Sequence, residues 1–182
     1  MKLLVLLAML TACAEITQDL SGKMLIFPVE NNTTHVKLET TKNDFNAVTV
    51  CQRSFTDLQR PHPLFSLSMP TYTNGFMVMW DDSDKEMEIY PRNTFASFGK
   101  LDYKQNAWHF VCTTRDSASG LVQVWLDGRP STKKFTSSGS TIKGNPIIIL
   151  GQVKFDIIGM MSDVHMWDYI LSPCEIQKYV DE

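Results

Sequence analysis

The sequence has no basic excess, no membrane-length apolar run and no catalytic spacing, and each absence removes a class of function. Lys and Arg number 17 against 20 Asp and Glu, a formal net charge of -3, so the footprint expected of a nucleic-acid or anionic-membrane binder is missing. No apolar stretch approaches the ~20 residues that a membrane-crossing helix needs. No GxSxG, paired-carboxylate or phosphate-loop arrangement occurs, so the chain reads as a non-enzyme. His35, His62, His109 and His165 show no ligand spacing, and no CxxC or Cys/His pattern suggests zinc. Carboxylates thin out near the end: between Gln152 and Trp167 the acids are Asp156 and Asp163 alone. An acidic group is present earlier, at Asp81, Asp82, Asp84, Glu86 and Glu88, but it lacks EF-hand spacing and the required glycine. It is expected to be a solvated turn.

The beginning of the chain has the form of an export signal. Lys2 supplies a positive start, residues 3–10 an apolar stretch, and Ala12-Cys13-Ala14 a small-residue cleavage site. Residues 1–14 are expected to be the signal peptide and 15–182 a single secreted, extracellular domain. Leu10-Thr11-Ala12-Cys13 also fits a bacterial lipoprotein box, a rival reading that would lipidate Cys13. Export permits disulfides. Removal of Cys13 leaves Cys51, Cys112 and Cys174. The first two lie in strand-like runs, NAVTVC and WHFVCTT, compatible with a bridge between adjacent strands. Cys174 is then odd, read either as a thiol on the first turn of a helix or as an intermolecular or reactive cysteine. Asn31-Asn32-Thr33-Thr34 holds two overlapping glycosylation sequons, of which one at most is expected to carry sugar.

The body reads as all-β. HVKLE alternates apolar and polar, as suits a strand with one buried face. FSLSM and GFMVMW flank Asn74-Gly75, which predicts a tight hairpin turn there; LVQVWL running into Asp127-Gly128 and out through RPSTKKF predicts another. PIIIL is a short continuous apolar run, expected to be a core strand covered on both sides. Many short strands with turn signals predict a β-sandwich. One helix is signalled by Ser172-Pro173-Cys174-Glu175, a capping box with proline at the first helical position, followed by the stripe Ile176, Tyr179 and Val180.

Taken together, KMLIFP (23–28), VTVC (48–51), VCTTRDSASG (111–120), VWLDGRP (124–130), IILGQ (148–152) and HMWDYILSP (165–173) resemble the short pentraxins in order and over nearly the whole chain. The resemblance implies a flattened, antiparallel two-sheet jelly-roll sandwich of the concanavalin-like kind with one short helix packed on a face. It implies a disulfide between Cys51 and Cys112, and assembly into a cyclic homo-oligomer, a pentamer in the family. It further implies a calcium-dependent face that binds phosphocholine, phosphoethanolamine or saccharides in innate immunity.

The departures bear on the site more than on the fold. The family signature places a histidine two residues before the second strand cysteine and a tryptophan three after it; Phe110 and Arg115 occupy those positions, while His109 is slipped by one and so turns to the opposite strand face. Family members present an acid then an asparagine at the first calcium position, where this chain has Thr73-Asn74. Beyond ILGQ they carry a loop rich in oxygen ligands, where this chain reads Val153-Lys154-Phe155-Asp156. Calcium takes roughly 6–8 oxygens, so Asn74 with Asp156 makes at most a remnant site, with calcium weak or absent. In the headgroup pocket Met79 falls at the apolar wall, although packing within the sheet explains Met77 and Met79 equally; the acid's counterpart lands at 94–96, where there is no carboxylate. Pentraxins also continue past the helix into closing β-structure, so the chain is expected to be C-terminally shortened. The expectation is a secreted recognition protein with weakened calcium dependence. Two alternatives remain: an assembly subunit without its own ligand, and a lectin-like sandwich enzyme, for which the facing carboxylates are not found.

Overall fold

A computed structural model of the chain describes residues 20, 22–29, 35–151 and 157–181. The expected signal peptide, Asn31, Asn32 and Asp156 lie outside the described residues. The strands run in chain order β1 (Met24–Phe27), β2 (Val36–Leu38), β3 (Asp44–Phe45), β4 (Ala47–Phe55), β5 (His62–Met69), β6 (Tyr72–Asp81), β7 (Glu86–Pro91), β8 (Ala96–Gly99), β9 (Trp108–Asp116) and β10 (Leu121–Leu126). They continue as β11 (Arg129–Pro130), β12 (Lys134–Phe135), β13 (Ile142–Lys143), β14 (Ile147–Leu150) and β15 (Gly159–Trp167), followed by α1 (Pro173–Asp181). One sheet has the order β1-β15-β4-β9-β10-β11, with β12 also on β10; the other has the order β2-β14-β5-β6-β7-β8. All pairings within them are antiparallel, and the two sheets close as a jelly-roll sandwich.

Strand alternation sorts the side chains of the first sheet. Val48 and Val50 of β4, Val111 of β9 and Val122 and Val124 of β10 turn inward to meet Leu64, Leu67, Phe76, Val78, Trp80, Met87, Ile89 and Leu150. The alternate residues Cys51, Phe110, Cys112 and Trp125 turn outward into a second core closed by Leu171 and Ile176. Cys51 and Cys112 stand directly opposite in the β4–β9 register and are bonded, with a Cα–Cα distance of 4.1 Å. Helix α1 covers this bridge through Ile176. Its start is the capping box: Ser172 N–H donates to Glu175 Oε2 at 2.7 Å and Glu175 N–H to Ser172 Oγ at 3.3 Å. The approach to the helix is pinned by Thr49, whose Oγ1 donates to Tyr169 O at 2.7 Å and accepts from Leu171 N–H at 3.1 Å.

The Asp127-Gly128 turn forms as the sequence predicts, with both residues at positive φ, 49° and 76°, which matches the twist of a two-residue hairpin. Asn74-Gly75 is not a turn. It lies inside β6, and the chain reverses at Pro70-Thr71 instead. The glycine answers a different need: a Cβ at Gly75 would come within 2.8 Å of a Leu67 side-chain carbon and 2.9 Å of the Leu67 carbonyl oxygen, beside a register shift between Leu67 and Met69. Strand β14 also differs from expectation. It is paired along both edges, but only Ile148 and Leu150 are buried, while Ile147 is exposed and Ile149 half-buried on the outer face.

A band of polar groups crosses the inter-sheet core. His62 is fully buried; its Nδ1 lies 2.9 Å from Arg60 O and its Nε2 3.3 Å from Tyr103 Oη. Tyr103 stacks on His109 with ring centroids 4.7 Å apart and lies against Trp80 at 4.5 Å. His109 therefore faces between the sheets while Phe110 faces the helix, as the one-residue slip requires. Arg115 is also fully buried, donating from Nη1 to Ser117 Oγ and from Nη2 to Ser140 O, both at 2.7 Å.

Two outcomes follow from this core. Burial holds His62 below its ordinary pKa, outweighing the raising effect of its bond to Arg60 O; the Arg60 charge lowers it further and Asp82 opposes. The neutral ring is thus the folded form, so stability is full above the unfolded value of about 6.5 and is lost as pH falls from there toward the depressed folded value. Thermal melts should show a falling midpoint between neutrality and mild acid, flattened in His62→Gln; an equal slope in the variant would refute the assignment. Removing the bridge by Cys51→Ala with Cys112→Ala should cost ~2–4 kcal/mol in urea unfolding, since the crosslink closes a separation of 61 residues.

Candidate functional site

The outer face of the second sheet is built by the residues that alternate with its core. From β14 come Ile147 and Ile149, from β5 Ser66 and Ser68, from β6 Met77 and Met79, from β7 Glu88 and Tyr90, and from β8 Ser97. Register makes these rows explicit: Ile149, Ser66, Met77 and Tyr90 are successive cross-strand neighbours, and Met79 stands opposite Glu88, which stands opposite Ser97. Phe95 lies over the end of the first row, 5.3 Å from the Tyr90 ring and half-exposed.

Glu88 is the unexpected member. The sequence suggested a solvated acidic turn, and Asp81 does accept from Ser83 N–H at 2.8 Å within one. Asp82 is instead a fixed strut, held by Lys85 Nζ at 2.6 Å, by Trp80 Nε1 at 3.3 Å and by Gln105 Nε2. Glu88 sits further along, within β7, and is only 8% exposed although it faces outward. Tyr90 Oη donates to its Oε2 at 2.8 Å. Desolvation pushes the Glu88 carboxyl above the usual carboxylate range, the Tyr90 bond opposing, and the neighbouring Asp81, Glu86 and Asp84 charges push it further. The same pair raises the Tyr90 phenol, burial first and Glu88 second. Positions 94–96, where the resemblance puts the acid's counterpart, hold no carboxylate: Ala96 points into the core, and Thr94 Oγ1 donates to Pro91 O. Only strand pairing shows that an acid stands across from Met79, because the two are nine positions apart in sequence.

Asn74 lies at the end of β6 nearest the β7–β8 turn. Its N–H donates to Asn93 Oδ1 at 3.0 Å, and its carbonyl accepts from Asn93 N–H at 2.9 Å. Arg92 and Asn93 both have positive φ, 49° and 58°, and the Arg92 guanidinium rests 4.9 Å from the Tyr72 ring centre. The fit of calcium here is poor among the described residues. Asn74 offers one side-chain oxygen, Asn93 Oδ1 is already used, the neighbouring cation is Arg92, and no three His, Cys, Asp or Glu side chains stand together. Asp156 lies outside the described residues. Asp163, the other acid of the tail, belongs to the opposite sheet, where its Oδ1 accepts from Gly22 N–H at 3.2 Å and its Oδ2 from Ser162 Oγ at 3.0 Å. It ties the residues leading into β1 to β15 and is no part of this face.

Comparison with known proteins agrees with this architecture. The sequence profile of the Pentaxin family matches residues 23–182. The serum amyloid P-component of Mesocricetus auratus is 34% identical over 171 residues, covering 88% of this chain and 72% of that protein. The C-reactive protein of Xenopus laevis is 35% identical over 174 residues, covering 88% of this chain and 72% of that protein. Among solved structures, a native heptameric SAP-like pentraxin from Limulus polyphemus superposes with a TM-score of 0.75 at 20% identity, covering 86% of this chain and 81% of that one. With the disulfide-bonded strand pair, the helix laid across it and the two antiparallel sheets all in place, the chain belongs to the pentraxin family.

Proposed function

We propose that the chain is a secreted recognition protein of the innate-immune, acute-phase type. It engages phosphorylated headgroups or saccharides on microbial or damaged-cell surfaces, with its calcium dependence weakened or lost. Residues 1–14 are its export signal, 15–182 its single domain, and a cyclic homo-oligomer its working form; the SAP-like pentraxin from Limulus polyphemus is heptameric. It has no catalytic role.

One observation carries the reading: an apolar wall, Met79, is set directly opposite a desolvated carboxylate, Glu88, which Tyr90 orients. A headgroup such as phosphocholine has an anionic end and a cationic end. The anionic end relies on bound calcium, for which the described residues supply little beyond Asn74. The cationic end needs a carboxylate and soft or aromatic surface, and Glu88, Met77, Met79 and Tyr90 supply both. Recognition through the ammonium end is the part of the headgroup chemistry that these residues support.

Capture on phosphocholine and phosphoethanolamine resins, with calcium and with chelator, tests this. Weak retention that survives chelator and drops about tenfold in Glu88→Gln, equivalent to ~1.4 kcal/mol, is expected. Release by chelator would show an intact calcium site and overturn the reading. Failure to bind either resin under any condition would favour the assembly-subunit role. Retention should also weaken on acidification at a pH above that of an ordinary carboxylate, because binding needs ionised Glu88 and its pKa is raised.

A further inference from the structure

A cavity of about 380 Å³ opens on the other side of the molecule, on the outer face of the first sheet beside the end of α1. Its lining includes Met24, Arg53, Trp108, Phe110, Asp127 and Val180. We propose that it is a binding site for a small organic ammonium ion bearing a flat aromatic body, independent of calcium and of the Glu88 face.

The size suits one ring and a short chain, at the lower end of the ~300–1,000 Å³ usual for small-molecule sites. The walls mix apolar residues with the polar His109 and Ser162 and are partly open: Trp108 is 43% and Met24 53% exposed, and Phe55 braces the indole with ring centroids 5.8 Å apart. Two charged groups reach the cavity, and their partners decide which ligand fits. Arg53 is already engaged. Its Nη2 donates to Val180 O at 2.9 Å at the carbonyl end of α1, its Nε lies 3.5 Å from Asp163 Oδ2, and its guanidinium sits 5.7 Å from the Phe110 ring centre. Asp127 is engaged by a backbone amide and an imidazole, and by no Lys or Arg among the described residues. Oδ1 accepts from Phe110 N–H at 2.8 Å, and Oδ2 lies 2.8 Å from His109 Nδ1. His109 Nε2 in turn lies 2.9 Å from Lys104 N and 3.1 Å from Lys104 O, which fixes the ring in place. The Asp127 side chain is 47% exposed at the mouth. The cavity therefore combines a half-exposed carboxylate that has no Lys or Arg partner among the described residues with a tryptophan wall, the pairing that favours an ammonium ion over a carboxylate.

The test uses 2-phenylethylammonium and its charge-reversed counterpart 3-phenylpropionate on the intact protein in chelator, read by saturation-transfer NMR and calorimetry. The ammonium should bind, and the carboxylate should not. Asp127→Asn keeps the left-handed turn residue, because asparagine tolerates a φ of 49°, and removes the charge; it should weaken binding about tenfold. Trp108→Leu should weaken it several-fold, and Glu88→Gln should leave it unchanged, which separates this site from the headgroup face. Thermal midpoints confirm that each variant is folded, and Trp108→Leu decides the matter if Asp127→Asn is not. Binding of the carboxylate as tightly as the ammonium, no binding of either, or affinity unchanged in the folded variants would overturn the proposal.

Discussion

The register of β4 against β9 is the constraint on which the rest of the molecule depends. Nine residue pairs align from Ala47↔Asp116 to Phe55↔Trp108, with the Cys51–Cys112 bridge near their centre. Because side chains alternate along a strand, this alignment assigns every residue of both strands to one of two faces. Val48, Val50 and Val111 meet the second sheet, whereas Cys51, Phe110 and Cys112 meet the helix. A slip of one residue would exchange those sets, sending Arg115 and His109 out toward the helix and two cysteines into the sandwich. The crosslink forbids the slip, and Thr49 uses the same face to hold the segment leading into α1.

That arrangement produces two outer faces of different chemistry. On the first sheet, α1 covers part of the face and leaves the cavity between Trp108, Met24 and Asp127 beside it. On the second sheet no described helix lies over the strands, and the outward residues Ile147, Ile149, Met77, Met79 and Tyr90 form an apolar surface around a sheltered carboxylate. The calcium geometry typical of the family depends on loop oxygens, which need not follow from the sheet. The strand-borne part of a headgroup site, an apolar wall with an acid opposite, depends only on cross-strand pairing. A chain can therefore lose the first and still carry the second.

Some misreadings of the sequence have definite causes. Asn74-Gly75 is a strong hairpin signal, yet its glycine serves close backbone contact with Leu67, and Pro70-Thr71 makes the turn. The run PIIIL suggests burial on both faces because β14 is wholly apolar, but its odd positions look outward. Glu88 is lost among neighbouring acids in the sequence, since nothing local distinguishes it from Glu86. Pairing with Met79 and Ser97 is what separates it from the turn.

The sequence by itself determined the class of fold, the helix and its cap, the Asp127-Gly128 hairpin and the face to which His109 turns, because each rests on local chemistry: alternation, capping hydroxyls or positive-φ turn residues. It also showed that the carboxylates of the tail are few. The tertiary structure alone decided what the remaining polar residues do. It placed Asp163 as a tie to neighbouring segments, made Asp82 a strut, buried His62, and set Glu88 and Asp127 on opposite faces as acids that no Lys or Arg pairs among the described residues. The physical reason is that the charge and exposure of a side chain depend on its partners, and the decisive ones are often brought in by strand register from far along the chain: Met79 is nine residues from Glu88, and Gly22 is 141 from Asp163.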